Sequence, residues 1–210
     1  MALRVVTLNV RGICSQARRD EIFLILSGMR GVDVFCLQEC QIPFKSSYSW
    51  WQREWTKGPS FWSGEDGNRN SGVAVLVASR RVAVQDCNIL KPGRVIRIRE
   101  EFLGAPFVLV NSYAPADKEE RAFLFDKVCR GACLTRGSLI WAGDFNTGLT
   151  QRDSGSGHPV DKTGHLLRDI VSDFGLRDAF LQAHPGLARG PPRAEDGEGP
   201  DYYTWYGPDL

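Results

Sequence analysis

Short apolar runs that stop on a polar residue recur along this chain, and they constrain its fold more than any other feature. Val32 to Gln38 (VDVFCLQ) lies between Gly31 and the charged Glu39, a pattern that suits a central strand covered on both faces. Arg4 to Asn9 (RVVTLN) is rich in β-branched residues and predicts a first strand. Between them, Ile22, Ile25, Leu26 and Met29 recur at helical spacing over Asp20 to Met29, and Arg30-Gly31 stops that helix. The opening is therefore a β-α-β unit.

Further along, Ser71 to Ala78, Val82 to Ile89, Arg94 to Glu101 and Pro106 to Ser112 predict four strands in an antiparallel meander. In the third of these, Arg94, Arg97 and Arg99 alternate with Val95, Ile96 and Ile98 as a half-exposed basic strand. Gln41 to Arg69 is polar and studded with Trp50, Trp51, Trp55 and Trp62, with no regular element expected. Ala116 to Val128 predicts a helix with Asp117 as N-cap and Phe123, Leu124 and Val128 on its apolar side. Ser138 to Trp141 is a further buried strand, and Asp161 to Phe174 and Leu176 to Ala183 are helices. Residues 185–201 (PGLARGPPRAEDGEGPD) are a flexible Pro/Gly/acidic loop, followed by a last strand over Tyr202 to Tyr206. These elements predict an α/β sandwich: two mostly antiparallel sheets with helices outside and one cleft at the strand ends.

A length of 210 residues with 42% hydrophobic and 24% charged side chains fits one domain with its own core, 1–210, and excludes a disordered or disulfide-stapled chain. No apolar run approaches the ~18 residues that span a bilayer, and the N-terminus has no signal-peptide pattern, so an intracellular protein without a membrane is expected. The net charge of +1 is an average. Residues 1–150 carry 20 basic and 15 acidic side chains, whereas residues 151–210 carry 6 and 10. An anionic partner should meet the first part. The six cysteines fit free thiols. The C-x3-C spacing of Cys36 with Cys40 and of Cys129 with Cys133 would also suit zinc, but their apolar settings favour core packing.

Four segments place polar residues where strands end. Asn9 and Glu39 close the first two strands, which should run parallel and bring both to one edge. An amide and a carboxylate there suit a magnesium ion, although Glu39 alone would also fit a solvated strand end. In VNSYAP, Asn111 and Tyr113 share a strand face, and the phenol can donate to a phosphate oxygen or simply pack. In WAGDFNT, Asp144 and Asn146 share a face beside Gly143, where an acid and an amide can handle a proton and stabilise charge on one phosphoryl group.

TLNVRG, LQEC, SGVAVLV, NSYAP, GDFNT and YYTW stand in the order and spacing of the endonuclease/exonuclease/phosphatase superfamily, and from Thr7 to Trp205 the chain resembles it. It is most similar to the endonuclease domain of LINE-type retrotransposon polyproteins. The resemblance implies a DNase I-like four-layer sandwich and a divalent-metal-dependent phosphodiester hydrolase that nicks DNA. It implies Asn9, Glu39, Asp144 and Asn146 around Mg2+ or Mn2+, and Tyr113, Asp144 and Asn146 as catalytic residues. Arg11, Asn68, Asn70, Ser71, Asn111 and Thr204 would be substrate contacts. DNA is the expected partner, with a downstream reverse transcriptase in a parent polyprotein, a monomeric state and a nuclear location.

The chain departs from that pattern in one respect. Family members continue past the Tyr-Thr-Trp through strands carrying an Arg-(Ile or Leu)-Asp and a Ser-Asp-His, and neither occurs in these 210 residues. None of His158, His165 or His184 follows an Asp. The expectation is a fold lacking the last strands that cuts poorly or not at all, because losing a general base costs ~10²- to 10⁴-fold. The alternatives are a same-fold phosphatase or phosphodiesterase on another substrate, and a non-catalytic nucleic-acid-binding remnant.

Overall fold

The computed structural model describes residues 2–42, 48–65, 68, 70–135, 137–150, 153 and 159–183. The loop 185–201, the strand expected over Tyr202 to Tyr206, His158, His184 and Thr204 lie outside the described residues. Two compact units divide the chain, Met1–Asn146 and Thr147–Leu210.

The first unit holds both sheets. One has the order β1 (Val5–Asn9), β2 (Val34–Gln38), β4 (Val73–Val77), β3 (Ser60–Ser63). The other runs β5 (Val82–Lys91), β6 (Val95–Phe102), β7 (Ala105–Tyr113), β8 (Ser138–Asp144). Each sheet is mixed in the same way. β1 with β2 and β7 with β8 are parallel, and the remaining pairings are antiparallel. A parallel pair needs a long crossover, supplied by α1 (Gln16–Gly28) in the first sheet. In the second it is α3 (Lys118–Phe123), which runs through a π-helical turn (Leu124–Cys129) into α4 (Arg130–Ala132).

The sheets pack face to face through Val34, Cys36, Val73, Val75, Ile96, Ile98, Leu109 and their neighbours. The outer face of the first sheet is covered by Ile22, Phe23 and Leu26 of α1 and by Trp51 of α2 (Tyr48–Glu54), with Trp55 and Trp62 beside them. The result is the expected four-layer α/β sandwich.

Four sequence expectations are corrected here. The described residues of Gln41 to Arg69 include α2 and β3, and Trp51, Trp55 and Trp62 are buried in the core while Trp50 stays exposed. β4 does not belong to a four-strand meander with β5, β6 and β7. It joins the first sheet between β2 and β3, since five apolar residues buried on both faces need a partner on each side. α1 starts at Gln16, one turn earlier than apolar spacing suggests, because the Ser15 side chain accepts from Arg18 N and caps it. Asp117 does cap α3, accepting from Glu119 N and Glu120 N, but Phe123 is 60% exposed. The π turn widens the helix and rotates Phe125 inward instead.

β6 and β7 are joined at Leu103-Gly104, both with positive φ (52° and 81°), as a tight hairpin turn requires. β6 is less exposed than its three arginines suggest: Arg94 is 7% exposed. Glu100 faces the core between its strand partners Val84 and Phe107, and neither carboxyl oxygen finds a hydrogen-bond partner. Burial pushes its pKa up to about 7. Cys36, Cys40, Cys129 and Cys133 are buried free thiols, all raised by burial.

The second unit contains α5 (Lys162–Asp173) and α6 (Ala179–Ala183). Asp161 caps α5, accepting from Thr163 N and Gly164 N, and Leu167 and Ile170 lie on its buried side. His165 is exposed on this helix.

Candidate active site

Parallel pairing sets Asn9 opposite Gln38 at the end of one sheet and Tyr113 opposite Asp144 at the end of the other. The two ends meet. The Asn9 amide donates to Asp144 Oδ2 at 2.9 Å, a hydrogen bond between residues 135 apart in the chain. Asp144 Oδ1 accepts from the Asn146 backbone N–H at 3.1 Å, so both of its oxygens are held. The Asn146 side-chain amide donates to Ala114 O at 2.7 Å. One N–H and the carbonyl oxygen of that amide are left for a ligand.

The surrounding backbone is unusual. Among the described non-glycine residues, positive φ occurs at Arg11, Glu39, Gln41 and Asn146, all in this region, and at Leu103 in the hairpin turn. Left-handed conformations of this kind cost energy and gather where side chains must be aimed. Gly143 precedes Asp144 with φ 146°, and a Cβ there would stand 1.9 Å from Ser112 O. Only glycine lets β8 approach β7 this closely.

Backbone bonds continue past the strand ends and tie the loops together. Val10, Gly12 and Ile13 donate to the carbonyls of Gln38, Glu39 and Cys40, while Cys40 and Gln41 donate to Gly72 and Ser71. The buried Arg19 ties down the loop that follows β1. Its guanidinium lies over the rings of both Trp50 and Trp51, 4.2 and 4.4 Å from their centres, pairs with Glu54, and donates to Ile13 O and Cys14 O.

Glu39 is half-buried, and its carboxylate accepts no hydrogen bond from the described residues. Arg11 is exposed, with its backbone N–H donating to Asn9 Oδ1 at 3.1 Å, and its guanidinium pairs with no described residue. The Tyr113 phenol is held above its ordinary pKa, by burial first and then by the Glu39 charge. Arg94 opposes that shift and Asp144 adds to it. It is a neutral donor at pH 7. The hard oxygens of Glu39 and Asp144, with the Asn9 amide oxygen, form a donor set that fits a divalent magnesium-type cation. Among the described residues, no group of three or more His, Cys, Asp or Glu gathers as a metal cluster.

The structure therefore brings Asn9, Glu39, Tyr113, Asp144 and Asn146 to one end of the sandwich, with Arg11 beside them. It turns two expected contacts inward. Asn111 is 0% exposed. Its amide donates to Leu37 O and Ala74 O and accepts from Gln38 Nε2 at 2.7 Å, so it joins the sheets rather than meeting substrate. Sharing a strand face with Tyr113 means facing the other sheet, and only the last residue of that face reaches the cleft. Ser71 is also buried, its hydroxyl donating to Asn68 O. Asn68 donates to Glu65 Oε2 at 2.8 Å, and Asn70 is exposed.

Two participants escape sequence reasoning. Gln38 looks like the polar end of an apolar run, and Arg94 like one of three solvent-facing arginines. The Arg94 guanidinium carbon lies 4.9 Å from the centre of the Tyr113 ring, and Arg94 Nε stands 3.9 Å from Glu65 Oε2. The Pro92-Gly93 turn just before Arg94 was its one sequence signal.

Helix-flanked paired sheets with polar residues gathered where β1 and β8 end define the class: a four-layer α/β sandwich with a polar edge. The model of the Endonuclease/Exonuclease/phosphatase family matches residues 6–208, and the chain belongs to that family. Over 189 residues it is 30% identical to the Transposon TX1 uncharacterized 149 kDa protein of Xenopus laevis, covering 88% of this chain and 14% of that relative's length. Solved structures share the fold. A 3'-5' exonuclease (NExo) from Neisseria meningitidis matches with TM-score 0.65 and 21% identity over 86% of this chain and 75% of its own. A humanized D. rerio TDP2 carrying 14 mutations matches with TM-score 0.53 and 16% identity, over 84% and 68%.

Proposed function

We propose that this chain is the endonuclease domain of a retrotransposon-type polyprotein, a divalent-metal-dependent hydrolase that nicks DNA. The observation that carries the reading is the Asn9–Asp144 hydrogen bond, which joins the ends of two sheets so that an amide, two acids and a phenol share one edge. Glu39 would anchor the cation, since its carboxylate is not taken up by described donors, with Asn9 and Asp144 completing the protein's share. When bound, magnesium or manganese neutralises charge that gathers on the phosphate oxygens.

The chain's own residues account for the rest. Tyr113 donates its phenol proton to a phosphate oxygen. Asp144, fixed through both oxygens, orients the attacking water. Asn146 presents an N–H to the charge developing on phosphorus-bound oxygen, a role worth ~10²- to 10³-fold where it has been tested in other enzymes. Arg11 meets a neighbouring phosphate. The excess of basic side chains in residues 1–150 and the likeness to a transposon protein favour DNA over smaller phosphoesters. The match to 14% of a 149 kDa relative supports a larger parent protein, for which a reverse transcriptase and a nuclear location are proposed with it.

Supercoiled plasmid tests this. These 210 residues should nick it slowly with magnesium, because they hold no Ser-Asp-His, and not at all with EDTA or in Asp144→Ala. A wild type indistinguishable from Asp144→Ala at high enzyme concentration, or release of phosphate from phosphoinositides without nicking, overturns the reading.

A further inference from the structure

We propose that the end of the first sheet opposite Asn9 is a second nucleic-acid contact: a row of cations that binds the phosphate backbone of a segment other than the one being cut. The choice of nucleic acid as the anion rests on the nuclease reading above; the row itself does not. Residues 1–150 carry 20 basic and 15 acidic side chains, yet the catalytic edge is not where that surplus lies. Arg11 is exposed there, but Lys91 and Arg94 each stand 3.9 Å from Glu65, and Glu39 and Asp144 add negative charge.

The strand order β1, β2, β4, β3 sets the row. The starts of β1, β2 and β3 meet the finish of β4, because β1 and β2 are parallel and β4 is antiparallel to both of its neighbours. Arg4 stands one residue before β1, Arg30 four before β2, Arg80 three after β4 and Lys57 three before β3, and all four are exposed. Neighbouring strands lie about 4.8 Å apart, so the four strand ends spread across roughly 15 Å. That is the rise of about four phosphates along one nucleic-acid strand. Short bonds tie these ends together: Asp33 N donates to Arg4 O at 2.9 Å, Ala78 N to Asp33 O at 2.8 Å and Val77 N to Pro59 O at 2.9 Å. Gly31 leaves the Arg4 side chain its path, since a Cβ there would stand 2.9 Å from Nη1.

The acid in their midst is already used. Asp33 is 0% exposed and accepts from Arg4 N at 3.0 Å and from the Arg81 guanidinium at 2.8 Å, so it neutralises Arg81 alone. The side chains of Arg4, Arg30, Lys57 and Arg80 form no hydrogen bond or ion pair with any described residue. Like charges set side by side repel one another and do nothing for the fold, whereas a polyanion with regularly spaced phosphates answers all of them at once. Five residues of β1 at about 3.3 Å each separate Arg4 from Asn9, and the two lie at opposite ends of the sheet. A straight duplex seated at Asn9 and Asp144 therefore does not reach the row, and the two surfaces take different segments.

Anisotropy of a labelled duplex in EDTA, titrated at several salt concentrations, tests the proposal. The chains compared are the wild type, the triple variant Arg4→Gln, Arg30→Gln and Arg80→Gln, the same three positions changed to Lys, and a charge-matched control with Arg53→Gln, Lys118→Gln and Lys127→Gln. Thermal unfolding confirms that each folds. The Gln triple should bind ~10- to 100-fold more weakly at about 0.1 M salt, and its plot of log Kd against log salt should be shallower by ~2–3, at ~0.9 for each lost phosphate contact. The Lys triple should stay within ~2-fold of wild type, because a phosphate reads the charge. Magnesium-dependent nicking of a short duplex at saturating enzyme should change less than ~2-fold in the Gln triple, since none of its positions adjoins Asn9 or Asp144. An unchanged salt slope would leave the row to an acidic protein surface, and a control that loses as much as the Gln triple would mean that net charge alone is sensed; either overturns the proposal, while nicking above Asp144→Ala keeps the nuclease reading. A shallower slope confined to the Gln triple, with nicking equal to Asp144→Ala in every chain, keeps the row and overturns that reading.

Discussion

A carboxyl group placed between two sheets without a partner has to keep its proton to stay there. Glu100 is 1% exposed, both oxygens are unbonded, and burial raises its pKa from 4.5 to about 7. In the unfolded chain it ionises near the ordinary value, so between pH 4.5 and pH 7 the folded state binds more protons than the unfolded state. Stability from this group is complete below pH 4.5 and is lost as pH rises to about 7, by roughly 3 kcal/mol over the whole interval. Glu100→Gln removes the titration. Urea unfolding of the two chains should give similar stability at pH 4.5 and should favour the Gln variant by about 2–3 kcal/mol at pH 8; parallel curves at both values would show that Glu100 is ionised in the fold. Glu100 also shows where sequence reading stops. In RVIRIRE it looks like one more charge on a basic strand, and only the pleat of β6 against the other sheet shows that it shares the inner face with Ile96 and Ile98. Asn9, Glu39, Tyr113 and Asp144 were legible for the opposite reason: each stands where a predicted strand ends, so its position along the chain already placed it at an edge.

At the scale of elements, the helix that carries the chain from β7 to β8 decides how firmly Asp144 is held. Its first turn follows a rule visible in the sequence, since Asp117 caps it as expected. Its middle does not, because a π turn over Leu124–Cys129 breaks the 3.6-residue period from which an apolar side is read. Phe125 thereby becomes the buried wedge in place of Phe123. It meets Trp141 at 6.2 Å and Phe145 at 6.5 Å between ring centres, and those two rings meet edge to face at 5.0 Å, on either side of Gly143 and Asp144. Phe125→Ala should cost about 3–5 kcal/mol in urea unfolding, whereas Phe123→Ala should stay within ~0.5 kcal/mol. Similar costs at both positions would return the apolar side of the helix to the one the sequence suggested. The same limit applies to the segment from α2 to β3, whose four tryptophans follow no regular period although Trp51, Trp55 and Trp62 line the core.

For the whole of the first unit, the question is what keeps two mixed sheets in register so that Asn9 meets Asp144. Apolar contacts hold the sheets together but slide easily, since the interface is mostly valine, isoleucine and leucine. Direction comes from Asn111, at the centre of that interface. It bonds to a backbone carbonyl on β2 and another on β4, and receives the Gln38 amide, which also reaches Thr7 on β1 and Cys36 O. One side chain of β7 is thus bonded to two strands of the opposite sheet, and Gln38, its partner, adjoins Glu39 and stands opposite Asn9. The resemblance implied Asn111 as a substrate contact; standing two residues from Tyr113 on the face toward the other sheet makes it instead the fastener of the two sheets. Asn111→Leu removes the bonds that Leu37 O, Ala74 O and Gln38 Nε2 make to it, leaving Gln38 only Thr7 and Cys36 O, which should cost about 3–5 kcal/mol in urea unfolding. A fold held only by area would lose much less, since leucine adds apolar surface at the same place. Because the register of the two sheet ends sets the Asn9–Asp144 distance, the folded fraction of Asn111→Leu should also nick more slowly than wild type at equal folded concentration. An unchanged rate per folded molecule would show that the strand ends find each other without the fastener.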